Sequence, residues 1–128
     1  MQANRSRDTK PEMIVRRFLH AQGYRYRVNL SDLPGKPDVV FKARRKIIFV
    51  HGCFWHRHRE CRLGSSPRSN SEYWAAKLDR NVERDSEHLQ TLRGLGWEVK
   101  TVWECETRTS EAREALYQGL VQYLGPAR

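Results

Sequence analysis

Apolar residues recur along this chain in two periods, and the changes from one to the other predict seven elements. Ile14, Phe18 and Ala21 stand at helical spacing. Asp8 or Thr9 is placed to cap that helix, Pro11 falls in its first turn, and Gly23 stops it. Residues 24–30 alternate large apolar side chains with Arg25, Arg27 and Asn29, the pattern of a half-buried strand. After a turn at residues 33–37, residues 38–41 form a short strand. A second turn, at residues 43–45, leads to Ile47, Ile48, Phe49 and Val50, an unbroken apolar run expected of a central strand covered on both faces. Residues 53–70 carry no period, and Gly64, Ser65, Ser66 and Pro67 mark a loop. Residues 71–95 read as a long helix with Trp74, Leu78, Val82, Leu89, Leu92 and Leu95 near one stripe, closed by Gly94 and Gly96. A strand at residues 97–103 and an amphipathic helix at residues 110–124, carrying Ala115, Leu116, Leu120 and Tyr123, complete the order. Helix, three strands, helix, strand, helix predicts a mixed α/β domain with a helix on either side of a central sheet.

The 128 residues suit a single domain spanning 1–128, led by a basic arm over residues 1–9 that contains Arg5 and Arg7. Lys and Arg number 24 against 15 Asp and Glu, a net charge of +9 that a polyanion would relieve, with nucleic acid ahead of an acidic membrane surface. No apolar run approaches the roughly 20 residues of a membrane span, and the polar start lacks a signal peptide's apolar stretch. The expected setting is therefore the cytoplasm, where thiols stay reduced, and the odd count of three cysteines points to metal rather than disulfides.

Three of the five histidines and two of the three cysteines lie in residues 51–61. Cys53, His58 and Cys61 follow a C-x4-H-x2-C spacing, and Cys105 lies just past the last strand. Together they make a Cys3His set, the closed tetrahedral donor set of a structural zinc site. The plainer alternative is buried thiols and solvated histidines. His51 and His56 fall outside that set, and His20 and His88 read as solvated residues on helices. Asp38 opens one strand and Val50–His51 closes the next, so a tight two-strand ribbon brings them to one edge. A carboxylate beside a main-chain carbonyl suits Mg²⁺, and an imidazole nearby can take a proton from water, as phosphodiester hydrolysis requires. Read alone, Asp38 fits a turn-capping role equally well.

Several runs together resemble the very short patch repair (Vsr) endonucleases. They are Thr9-x-x-Glu12, Leu33-Pro-Gly-Lys-Pro-Asp38, Phe49-Val-His-Gly-Cys-Phe-Trp-His56, Asn81-Val-Glu-Arg-Asp85, Leu95-Gly-Trp97 and Val102-Trp-Glu-Cys105. The resemblance covers residues 1–108 and implies a restriction-endonuclease-like fold that nicks one DNA strand beside a T:G mismatch. It implies Asp38 and the Val50 carbonyl as Mg²⁺ ligands and His56 as general base. His51 and Glu12 would hold metal-bound water or the phosphate, and Cys53, His58, Cys61 and Cys105 would hold structural zinc. Phe54, Trp55 and Trp74 match aromatics that wedge between base pairs, a step that costs least where pairing is already defective. For Trp74, core packing is the alternative.

Arg5, Arg7, Arg16, Arg17, Arg44, Arg45 and Lys46 are candidates for phosphate contact, which positions a protein without reading sequence. The chain departs from the family at Val50, where Thr is common, and in the shortness of its N-terminal arm, which would otherwise enter the minor groove. The expected partner is double-stranded, mismatched DNA bound by a monomer. Two other readings remain: a restriction or defence nuclease of the same fold, and a zinc-stapled DNA-binding module with no chemistry.

Overall fold

The computed structural model describes residues 9–56, 58, 61 and 71–127. The basic arm with Arg5 and Arg7, the Asp8 cap and the Gly64–Pro67 loop signals lie outside the described residues. The elements run α1 (Lys10–Ala21), β1 (Arg27–Val28), β2 (Val39–Phe41), β3 (Lys46–His51), α2 (Ser71–Gly94), β4 (Glu98–Trp103), a 3₁₀ turn (Glu104–Thr107) and α3 (Ser110–Leu124). This is a mixed α/β domain in the predicted order. Among the described residues, no helix is long and apolar enough to cross a membrane.

Thr9 caps α1, its hydroxyl accepting the Glu12 N–H, with Pro11 in the first turn where a missing N–H costs nothing. The sheet is ordered β1-β2-β3-β4. β2 and β3 are antiparallel around a turn in which Arg45 takes a positive φ of 57°, whereas β3 and β4 are parallel and joined by the α2 crossover. β3 is central, with Ile47, Ile48, Phe49 and Val50 all buried. Strand side chains alternate between two cores. Val39, Phe41, Ile48, Val50 and Val102 pack with α1 (Val15, Leu19) and α3 (Leu116, Leu120, Leu124). Val40, Ile47 and Phe49 pack with Leu92 and Trp97 near the end of α2.

The structure departs from the pattern at two places. The strand expected over residues 24–30 shrinks to Arg27–Val28, because Tyr24 and Tyr26 turn onto Phe41 and spend their hydroxyls on the Gly125 and Arg16 carbonyls. The stripe on α2 is only partly buried: Leu78 and Leu92 are enclosed, while Val82 and Leu95 are exposed. At about 1.5 Å per residue a helix of 24 residues outruns the sheet, so its middle projects beyond the strands. That projecting stretch carries part of the site.

Candidate active site and metal centre

Asp38 sits at the mouth of β2, buried, and its Oδ2 accepts the Val50 N–H at 2.6 Å. Continuing the β2–β3 register places Pro37 opposite Val50, and proline has no N–H to offer the ladder. The Asp38 side chain thus takes over where main-chain pairing stops. In an extended strand one residue's N–H and C=O point to the same side, so the Val50 carbonyl is presented to the edge that holds this carboxylate. Burial pushes the Asp38 carboxyl up to about 7; the Val50 N–H works against the rise, and Glu12 adds to it by charge and by hydrogen bonding. Glu12, on the first turn of α1, is itself almost fully buried and pairs with Arg16 at 3.0 Å. The Glu12 carboxyl beside Asp38 raises the cost of ionising it in this buried space, and a proton or a hard dication at Asp38 relieves that cost. The donor chemistry therefore fits Mg²⁺.

At the end of β3, His51 and His56 lie face to face, ring centroids 3.7 Å apart and planes within 6°. The turn after β3 sets this geometry through the His56 N–H, which bonds the Gly52 carbonyl at 3.1 Å. His56 Nδ1 meets Asp85 Oδ2 at 2.5 Å, a contact from β3's trailing turn to the projecting middle of α2. A carboxylate there holds the proton on Nδ1 and leaves Nε2 free as a base. Burial, helped by the adjacent His56 charge and opposed by Asp85, lowers His51 to about 3, so it is a neutral imidazole.

Cys53, His58, Cys61 and Cys105 bring their ligand atoms within 4.8 Å of one another. His58 Nδ1 lies 3.5 Å from both the Cys53 and Cys105 sulfurs. Those separations approach the edges of a tetrahedron with ligands roughly 2.0–2.3 Å from its centre, so the set fits zinc. Burial, more than the neighbouring thiols, pushes Cys53 up to about 12, a cost that a bound dication reverses. Trp103 joins this cluster to the histidines: its ring stacks on His58 at 4.1 Å and 5° and meets His51 edge-on at 5.4 Å. Glu104, next in sequence, accepts the Cys53 N–H at 3.2 Å.

Phe54 and Trp55 pack edge-on with Trp74 of α2, centroids 5.3 and 5.8 Å away, in one half-exposed aromatic group. Asn81 fixes its base, donating to the Trp55 carbonyl at 3.0 Å. Trp74 is therefore not enclosed in the core. Tyr73, 59% exposed and packed on Trp74 at 5.3 Å, extends the group.

The basic candidates lie elsewhere. Arg44 donates to the Leu124 and Pro126 carbonyls and lies over Tyr24. Arg45 donates to the Leu95 carbonyl at 2.8 Å and covers Trp97. Lys46 bonds the Tyr123 carbonyl and pairs with Glu98. All three close the C-terminal ends of α2 and α3, at the end of β3 opposite His51, about 16 Å away at roughly 3.3 Å per residue. Arg16 is engaged with Glu12, Arg17 is exposed, His20 is exposed and His88 packs over Gly35.

Asp85, Asn81, Trp103, Glu104 and Tyr73 were given no role by the sequence reading. Asn81 and Asp85 stand four apart on one helix face, which was the available signal. Their partners, 26 and 29 residues away, were not visible in it.

Comparison with known proteins gives a family. The family model described as DNA mismatch endonuclease Vsr matches residues 1–63. The Escherichia coli DNA mismatch endonuclease Vsr is 42% identical over 126 residues, 97% of this chain and 80% of that protein. The type II nicking enzyme V.XorIIP of Xanthomonas oryzae is 46% identical over 121 residues, 94% of this chain and 88% of that protein. The type II nicking enzyme V.NmeAIP of Neisseria meningitidis is 45% identical over 103 residues, covering 80% and 73%. A mixed α/β domain with a carboxylate edge and an imidazole–carboxylate pair is here a DNA endonuclease. Within that class, the chain belongs to the Vsr family.

Proposed function

We propose that this protein is a Mg²⁺-dependent endonuclease that nicks one strand of duplex DNA at a T:G mismatch in very short patch repair, on a restriction-endonuclease-like fold. The observation that carries the reading is the buried Asp38 carboxylate seated on the Val50 N–H at the end of β3 where His51 and His56 stack. In this reading Asp38 and the Val50 carbonyl hold the catalytic Mg²⁺, and Cys53, His58, Cys61 and Cys105 hold a structural Zn²⁺. A bound Mg²⁺ supplies positive charge against the scissile phosphate.

His56 acts as general base, taking the water's proton at Nε2 while Asp85 holds Nδ1. His51 is neutral, so it positions water or phosphate by hydrogen bonding without placing a second cation beside a protonated His56. Glu12 lies next to Asp38 and orders the same water, with Arg16 setting its carboxylate. Phe54, Trp55 and Trp74 enter the duplex at the mismatch, where unstacking costs least. The phosphate contacts expected of Arg5, Arg7, Arg16, Arg44, Arg45 and Lys46 are a secondary part of the proposal. For the last three, the helix-end bonds leave mainly long-range attraction. The enzyme acts as a monomer in the cytoplasm.

The decisive assay compares nicking of a T:G duplex with its T:A control, with Mg²⁺ and with a chelator. Mg²⁺-dependent cutting of one strand of the T:G duplex supports the proposal, and equal cutting of both duplexes removes its mismatch part. The relatives named as type II nicking enzymes favour a second reading, a restriction or defence nuclease of the same fold with no mismatch preference. A panel of all mismatches and modified bases separates the two.

A further inference from the structure

His51, His56 and Asp85, each with a role in the proposed cleavage, also form a metal-donor set. Each offers one ligand atom, and those atoms lie within 4.8 Å of one another. We propose that this trio is a second transition-metal site, separate from the Cys3His cluster, and that zinc or a similar borderline divalent cation bound there shuts off nicking.

Two imidazoles and a carboxylate are a donor set for zinc, cobalt, nickel and ferrous iron, whereas Mg²⁺ selects oxygen. The trio therefore differs in metal preference from the Asp38 edge, which offers a carboxylate and a main-chain carbonyl. The frame is well held. His51 closes β3 in register with Trp103 of β4, His56 is set by the turn bond to Gly52, and Asp85 is carried on α2. The stacked rings aim their lone pairs along parallel planes, so closing on one ion requires the part-exposed His56 ring to turn out of the stack, while the ligand atoms already lie close together. Access is open too, because the His56 and Asp85 side chains are 27% and 29% exposed. A cation on these atoms occupies the imidazole that must accept a proton and takes the carboxylate that orients it. The inhibitory half of the proposal rests on His56 being the base; the binding half does not.

The test is equilibrium dialysis of the full chain, without DNA, against zinc alone. The wild type is expected to bind two zinc ions per chain, and Asp38→Asn likewise two. His51→Ala and Asp85→Ala are expected to keep the Cys3His ion and to bind the second at least tenfold more weakly. Cobalt provides a second readout: the additional site must add bands with no thiolate-to-metal absorption, and Asp85→Asn, which keeps the side-chain shape, must weaken them. A single zinc in the wild type overturns the site, as does a second zinc that survives both Asp85 substitutions or disappears in Asp38→Asn. For inhibition, micromolar zinc added over millimolar Mg²⁺ should stop T:G nicking by the wild type and spare the residual activity of Asp85→Ala. Two bound zinc ions with unimpaired nicking overturn the inhibitory role alone. A chain that binds two zinc ions but never nicks DNA instead sinks the function proposed above.

Discussion

Substituting Asp85 by alanine isolates the contact that makes His56 a base rather than a solvated imidazole. The change removes one hydrogen bond to an ionised partner, Nδ1 to Oδ2 at 2.5 Å, and touches neither β3 nor the Cys3His cluster. Hydrogen bonds to charged groups contribute about 1.5–3 kcal/mol. At about 1.4 kcal/mol per decade of rate, that corresponds to a loss of roughly 10- to 150-fold. Both side chains are more than a quarter exposed, so solvent screening puts the expected loss near the lower end, about tenfold. Single-turnover nicking under saturating DNA and Mg²⁺ should show it as a fall in rate with little change in affinity, because Asp85 acts through His56. Stability should move by no more than about 1 kcal/mol, the range of a partly exposed ion pair. Asp85→Asn should be worse than alanine. Its amide can donate to Nδ1 and force the proton onto Nε2, the wrong tautomer for a base. An Asp85→Ala rate within twofold of wild type, or a loss lying wholly in DNA affinity, would refute this account of His56.

Three further outcomes follow from the geometry. The Asp38 carboxyl is raised from an ordinary value of 3.8 to about 7, so the stability it contributes while protonated is complete below pH 4 and is lost as pH rises through 7. Melting of metal-free wild type against Asp38→Asn should show the gap moving against the wild type over that window, and Mg²⁺ should raise the wild-type Tm more at pH 8 than at pH 5.5. Trp74→Ala should weaken T:G duplex binding about tenfold or more, given about 1–3 kcal/mol per stacked base, while binding to T:A changes less; fluorescence anisotropy in Ca²⁺ reads both. Arg44→Ala should lower stability by about 1–2 kcal/mol through its lost bonds to the end of α3, with DNA affinity nearly unchanged; a purely affinity-linked loss would return Arg44 to the DNA face.

Periodicity was sufficient for the element order because β3 is apolar without interruption and the helices are bounded by caps and glycines. It overcalled the burial of α2, since a stripe of apolar residues does not reveal that a helix is longer than its sheet; Val82 is exposed along the projecting stretch, and Leu95, one residue past the helix, is exposed where the chain turns into β4. The Cys3His set was legible because three ligands crowd into nine residues, with one further cysteine to complete it. The meeting of Asp38 with Val50 was legible because a short hairpin leaves few registers. Long-range partners were not. Nothing local to Arg44, Arg45 and Lys46 says that four carbonyls at or just past helix ends and a Glu98 carboxylate await them, and nothing local to Asp85 points to His56. Charge in a sequence is read as solvated or ligand-facing by default, and only tertiary structure shows it spent on closing helices.

The central claim is that the Asp38 edge is the catalytic cation site of a strand-nicking enzyme. The most direct measurement is the single-turnover rate of T:G duplex nicking in Mg²⁺ by Asp38→Asn, prepared with its Cys3His zinc intact and its DNA affinity checked. The account predicts at least a thousandfold loss, about 4 kcal/mol of transition-state stabilisation, with the duplex still bound. Nicking by Asp38→Asn within tenfold of wild type would contradict it.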